Sequence, residues 1–247
     1  MNKQCNKEYA VVTGAASGIG KGVSELLISK GVMVFALDIQ QVEISNAVYV
    51  KCDVSSEDDF GAALRCILNV TKRIDYLVLS AGILCGGNRF LIEDLPLKEW
   101  KAVLDTNLTG VMLSLRTFIP LLINNKRGSV VTYSSDQVVH PIPKSAPYLI
   151  SKVAVESLTR LAAIENIGYN IRVNCIRAAA VDTNFLSSLV KESKIRKEMK
   201  DSMDAKMPLG MISPQEIANM TWYLLSDATS KMTGQVVTVD GGVLLLS

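Results

Sequence analysis

The stretch YSSDQVVHPIPKSAPYLISK, Tyr133 to Lys152, concentrates hydroxyls, two lysines and the only histidine of the chain. Two chemistries fit those residue types. Ser134 or Ser135 with Asp136 and His140 would supply the nucleophile, acid and base of a hydrolase. That reading lacks the GxSxG elbow and crowds all three residues into one short segment. Tyr148 and Lys152, four apart, would instead share one face of a helix that starts near the tyrosine. A phenol of ordinary pKa near 10 is only about one part in a thousand ionised at pH 7. Bringing it to neutrality takes roughly 4 kcal/mol of preferential stabilisation of the phenolate, which a neighbouring ammonium in a low dielectric would supply. Such a tyrosine takes or gives a proton at a substrate oxygen. Alone, a Tyr-x-x-x-Lys on a helix is a packed tyrosine beside a solvated lysine, so the rest of the chain has to choose.

A second group of residues points to a dinucleotide. The first apolar run leads into TGAASGIGKG, in which Gly14, Gly18 and Gly20 follow the spacing GxxxGxG. Glycines there let a turn tighten and let backbone N–H groups approach a pyrophosphate at the positive end of the next helix. Asp38 ends the second apolar run, where a carboxylate accepts from both adenosine ribose hydroxyls and repels a 2′-phosphate. None of Ala15, Ala16, Ser17 and Ile39 is basic, so the expected cofactor is NAD rather than NADP. A turn-capping aspartate is the alternative reading of Asp38. Asp53, closing the third run, would accept from the adenine amino group or cap a helix.

These residues need a scaffold. Strands are expected at 9–14, 32–38, 47–54, 76–82, 128–135, 171–178 and 236–242, most of them near-continuously apolar as in a parallel sheet covered on both faces. Helical patterns fill the gaps at about 18–30, 57–71, 97–125, 148–167 and 214–226. The alternation predicts an α/β, single-domain, Rossmann-type doubly wound fold with a seven-stranded parallel sheet, spanning residues 1–247 without a linker or repeat. Residues 184–212 break the rhythm and are expected to be a substrate lid.

Composition narrows the alternatives. A chain of 247 residues with net charge +2 does not suggest a nucleic-acid surface. No uninterrupted apolar run approaches the roughly 18 residues of a membrane span, and the glycine-rich turn arrives before a signal-peptide hydrophobic region develops. Five scattered cysteines and one histidine argue for reduced thiols in the cytoplasm and against a metal site.

With these motifs in order, the chain resembles the short-chain dehydrogenases/reductases along essentially its whole length. The family's Tyr-x-x-x-Lys matches Tyr148 and Lys152, its serine thirteen residues earlier matches Ser135, and its catalytic asparagine matches Asn107 in LDTNLTG. Its Asn-Ala-Gly segment is represented by Ser80, Ala81 and Gly82. The resemblance implies that Tyr148 is the acid/base, that Ser135 polarises the substrate oxygen, that Lys152 reaches the nicotinamide ribose and that Asn107 positions a water. It also assigns Ser17, Ile19, Val54, Val181 and Thr183 to the cofactor site, and implies a homotetramer or dimer acting on a small alcohol or ketone. After the sixth strand, Ala178 and Ala179 stand where the family commonly has Pro-Gly, which implies a reshaped nicotinamide pocket. SSDQVVHPIP and AGILCGG are similar to 2,3-dihydro-2,3-dihydroxybenzoate dehydrogenases; Arg89, Lys194 or Arg196 would meet such an anionic substrate. The other readings are a 3-oxoacyl carrier-protein reductase using NADPH and a non-catalytic NAD-binding scaffold.

Overall fold

The computed structural model describes residues 7–84, 90–183, 197–198, 201–202 and 204–246. Seven strands form one sheet: β1 (Tyr9–Thr13), β2 (Met33–Asp38), β3 (Ala47–Lys51), β4 (Tyr76–Leu79), β5 (Gly128–Ser135), β6 (Ile171–Ala178) and β7 (Val236–Val239). Their order is β3-β2-β1-β4-β5-β6-β7, and every pairing is parallel. Connections switch sides of the sheet between β1 and β4, which opens a crevice at the strand C-termini.

Strand alternation fills two cores. On β1, Val11 faces a layer containing Phe60, Phe118 and Val155. Its neighbours Ala10 and Val12 face Val23, Leu27, Ile217 and Leu224 on the other side. The first layer is carried by α2 (Glu57–Leu68), α4 (Gly110–Asn124) and α5 (Ala146–Asn166), the second by α1 (Gly18–Ser29) and α6 (Pro214–Leu225). Strands buried on both sides tolerate few polar positions, which is why they read as continuous apolar runs.

The expected strands 47–54, 76–82 and 236–242 run past the observed ends, and the pairing explains why. Lys51 lies opposite Asp38, the last residue of β2, so Cys52 to Val54 have no strand to pair with. After β7, Gly241 and Gly242 both take positive φ, which no strand continues.

The expected helix 97–125 is α3 (Leu97–Leu104), a π turn at Asp105–Thr109 and then α4. A π turn inserts one extra residue into a helix and leaves the apolar pattern on either side intact. Over Leu97–Asn124 the helix is long and apolar enough to cross a membrane, but half of its most apolar window is buried in the protein. Phe118 and Leu122, both fully buried, show that this apolarity serves the core.

The excursion after β6 is pinned at its base. Val181 bridges Ile212, and the Asp182 N–H donates to the Ile212 carbonyl at 2.8 Å. The expected lid lies mostly outside the described residues, including Phe185, Leu186, Leu189, Lys194, Arg196 and Met203; so does Arg89. At its far end Met207 is buried. A capping box then starts α6: the Ser213 hydroxyl accepts from the Glu216 N–H while Glu216 accepts from the Ser213 N–H.

Candidate active site

A cavity of about 1090 Å³ opens along the strand C-termini. It is lined by every residue that the sequence nominated for the cofactor or the catalytic set except Asn107, from Gly14 at one end to Ser135, Tyr148 and Lys152 at the other.

The cradle for a dinucleotide can be tested on its glycines. A Cβ at Gly20 would sit 2.2 Å from the Gly14 carbonyl oxygen and 2.5 Å from Ser80 Oγ, and one at Gly14 2.8 Å from the Ala81 backbone. Real Cβ atoms do not come so close, so the turn closes only around glycine. Ser17 caps α1 with extended backbone and no side-chain cap bond, which leaves that helix end able to meet an anion. Ser80 performs the bracing that its position needs, its hydroxyl donating to the Thr13 carbonyl at 2.6 Å.

Further along, the Asp38 carboxylate faces the cavity and accepts from the Ala16 and Gln40 N–H groups, each at 2.9 Å. Asp53 does not cap α2. Ser56 does, accepting from the Asp59 N–H, while Asp53 Oδ1 accepts from Ser55. Asp53 Oδ2 has no partner among the described residues and remains available. Val54 and Ile19 complete this wall. The residues present therefore fit a dinucleotide.

Thr183 lies over the glycine-rich turn: a Cβ on Gly18 would be 3.3 Å from its Cγ2. The Ala178-Ala179 pair is accommodated without strain. Neither residue takes positive φ, and the Ala179 N–H donates to the Val239 carbonyl at 3.1 Å, prolonging the β6–β7 ladder.

At the other end, β5 delivers Ser135 and α5 delivers Tyr148 and Lys152. The helix begins at Ala146, with Pro147 in its first turn, so both residues lie on one face within its first two turns. Ser135 Oγ donates to Asp136 Oδ1 at 3.0 Å and accepts from the Gln137 N–H at 3.3 Å; it also hydrogen-bonds the Tyr148 phenol. A substrate oxygen bound at Ser135 would take the place of one of these partners. Neither Ser134 nor Ser135 hydrogen-bonds His140, which is exposed on the rim, and this removes the hydrolase arrangement.

The ionisation of the pair differs from the sequence expectation. Burial pushes the Tyr148 phenol up to about 12; the Ser135 hydrogen bond opposes this and the charge of Asp136 adds to it. Lys152 lies only 8% exposed, and burial brings its ammonium down to about 8. Its Nζ donates to the Tyr133 carbonyl at 3.0 Å and stands 5.5 Å from the Tyr148 ring centroid. Without ligands the lysine is thus turned to a backbone acceptor, and desolvation outweighs its attraction for a phenolate.

Asn107 stands apart from the cavity lining. It is fully buried in the π turn. Its Oδ1 accepts from the Ile83 N–H at 2.7 Å, and its Nδ2 donates to the Ile83 carbonyl at 2.9 Å and to Ser151 Oγ at 3.2 Å. Both amide hydrogens are committed, so the side chain clamps the segment after β4 to α5 rather than presenting a donor to water. Sequence reading missed Gln40 and the C-terminal Val243, Leu244 and Leu246 on the cavity wall, whereas Lys206 falls in the expected lid. No local signal marks them; only the course of the chain after β2 and β7 brings them there.

These features define a nucleotide-dependent redox fold with a tyrosine at the reacting end. A family model described as enoyl-(acyl carrier protein) reductase matches residues 14–244. The chain belongs to the short-chain dehydrogenase/reductase family. It is 31% identical to a 3-oxoacyl-[acyl-carrier-protein] reductase of Thermotoga maritima, covering 96% of this chain and 98% of that protein. It is 33% identical to an NAD-dependent glycerol dehydrogenase of Listeria innocua, covering 95% and 93%. Among solved structures, ligand-free aldohexose dehydrogenase of Thermoplasma acidophilum superposes with a TM-score of 0.90 at 27% identity, covering 97% and 94%.

Proposed function

We propose that this oxidoreductase interconverts a secondary alcohol and its ketone with NAD(H), using Tyr148 as acid/base. The observation that carries the reading is the hydrogen-bonded Ser135–Tyr148 pair on the wall of the same cavity as the glycine-rich turn and Asp38. When bound, the nicotinamide supplies the hydride acceptor or donor. Tyr148 Oη takes the hydroxyl proton in oxidation and returns it in reduction, and Ser135 fixes the substrate oxygen beside it. Lys152 holds positive charge at this end of the cavity.

Asp38 favours NAD(H), because its carboxylate would meet a 2′-phosphate with like charge. The Listeria relative, NAD-dependent by name, agrees with that choice. The Thermotoga relative favours a second reading, a carrier-protein-linked ketoreductase, which predicts preference for NADPH. Exposed apolar residues on α5, Leu161 and Ile164 among them, support a homotetramer or dimer, and the unpaired Cys52, Cys66 and Cys175 suit a reducing, cytoplasmic setting.

The test compares wild type with Tyr148→Phe on an alcohol panel with NAD⁺ and NADP⁺. Turnover with NAD⁺ that falls at least about 100-fold in the variant, with NADH binding retained, supports the reading. Equal turnover refutes the tyrosine's role, and tight NAD⁺ binding without any turnover supports the scaffold.

A further inference from the structure

Asp136 follows Ser135 at the end of β5 and opens a short 3₁₀ turn, Asp136–Val138. It lines the cavity beside the reacting residues. Its carboxylate receives the Ser135 hydroxyl at 3.0 Å, while the Gln137 N–H donates to Ser135 Oγ. No lysine or arginine forms an ion pair with it among the described residues, and His140 on the rim attracts it more weakly than burial acts on it. A carboxylate has about four acceptor positions, so most of its capacity is unmet among the described residues. The same turn carries Gln137, whose Oε1 is buried without a partner among the described residues. Two acceptors on this turn thus have unmet capacity.

We propose that Asp136 accepts a second hydroxyl of the substrate, beside the oxygen held at Tyr148 and Ser135, so that neutral vicinal diols or polyols are preferred. The inference rests on the dehydrogenase reading and deepens it. Ser135 Oγ, which is hydrogen-bonded to the phenol, and Asp136 Oδ1 lie 3.0 Å apart, so an oxygen bound at the phenol and one bound at the carboxylate can be carried on adjacent carbons. Two neighbouring positions for substrate oxygen therefore exist, one defined by the phenol and one by the carboxylate.

Charge selects a neutral donor. Asp240 lies close enough to Asp136 to push its carboxyl pKa up, as burial does more strongly; an anionic substrate would meet both acids. An ammonium would meet Lys152 and an oxidised nicotinamide, both cationic. A hydroxyl satisfies the carboxylate without either repulsion. Ile142, Leu84 and Leu244 on the cavity wall would pack against the hydrocarbon of such a substrate.

The experiment measures kcat/KM for meso-2,3-butanediol and for 2-butanol, with whichever of NAD⁺ and NADP⁺ supports turnover, in wild type, Asp136→Ala and Asp136→Asn. The wild type is expected to favour the diol by about 10- to 100-fold, the value of one hydrogen bond to a charged acceptor. Asp136→Ala is expected to erase most of that ratio, and Asp136→Asn, which keeps a neutral acceptor, to fall between. A ratio unchanged in Asp136→Ala, a wild type indifferent to the second hydroxyl, or a better rate with 3-amino-2-butanol than with the diol overturns the proposal. Ligand-observed NMR with the same alcohol pair on the NADH-loaded protein reads the subsite independently of turnover. Diol binding that weakens selectively in Asp136→Ala supports the subsite even if no alcohol is oxidised, an outcome that would sink the dehydrogenase reading alone. Equal binding of both alcohols refutes the subsite.

Discussion

Replacing Lys152 by methionine should make the ligand-free protein more stable while removing its activity. The lysine is nearly inaccessible, and burial holds its ammonium at about 8 against the ordinary 10.5. At 1.36 kcal/mol per tenfold change, that gap is a penalty of roughly 3 kcal/mol on the folded state at pH 7, where folded and unfolded chains both carry the proton. The sign is the reverse of the usual lysine gaining a partner: stability is recovered as pH rises from about 8, because the folded lysine sheds its proton first. By pH 9 the penalty has fallen to roughly 2 kcal/mol. Methionine fills similar volume without charge but leaves the Tyr133 carbonyl without its 3.0 Å donor, a loss of about 1 kcal/mol.

The net expectation is stabilisation by about 2 kcal/mol at pH 7 and about 1 at pH 9. In a chain of this size that is a melting-temperature rise of about 4–8 °C at pH 7, roughly halved at pH 9. Differential scanning calorimetry without cofactor, at one protein concentration, measures it, since bound cofactor or altered assembly would add its own stabilisation. Cys52 and Cys175, raised by burial to about 12 and about 11, cost both proteins stability as pH rises past the ordinary thiol value. They cancel in the difference. A methionine variant that melts below wild type at pH 7, or a difference that ignores pH, would refute the burial argument.

Two further outcomes follow from the nucleotide end. Gly20→Ala puts a methyl 2.2 Å from the Gly14 carbonyl; NADH affinity, measured by fluorescence titration, should fall at least about 100-fold, and unchanged affinity would mean the turn does not hold the pyrophosphate. Asp38→Ala with Ile39→Arg removes the carboxylate and supplies a cation, so the ratio of kcat/KM for NAD⁺ over NADP⁺ should drop by about two orders of magnitude. A ratio that stays put would show that the 2′ position is read elsewhere.

How far the sequence reaches depends on what each residue answers to. β5 and β6 end where the sequence reading places them, because apolar runs that must be buried on both faces leave little latitude. The glycine-rich turn is equally legible: crowding by the residue's own neighbours in sequence and by Ala81 explains it. The π turn at Asp105–Thr109 is not legible, since one inserted residue alters neither composition nor the apolar stripe of α4. Nor is the ionisation of Tyr148 and Lys152. Spacing brings them to one helix face, but the balance between desolvation and attraction depends on enclosure by β5, α5 and the segment after β4.

Asn107 shows why a residue's match to a pattern and its physical task have to be argued separately. It lies behind the cavity wall, yet it sets that wall's shape. Its three side-chain hydrogen bonds tie both backbone groups of Ile83 to α5 through Ser151, one residue before Lys152. Between these partners lies Gly82, where a Cβ would be 3.4 Å from Asn107 Oδ1 and 3.7 Å from Lys152 Nζ. Truncating the amide would leave the Ile83 N–H and carbonyl without their side-chain partner and would loosen the segment that borders the lysine. A loss of activity on substituting Asn107 therefore has a mechanical cause already in hand. Only a variant that keeps the clamp, judged by unchanged stability and cofactor affinity, can reveal any direct part of this residue in proton movement.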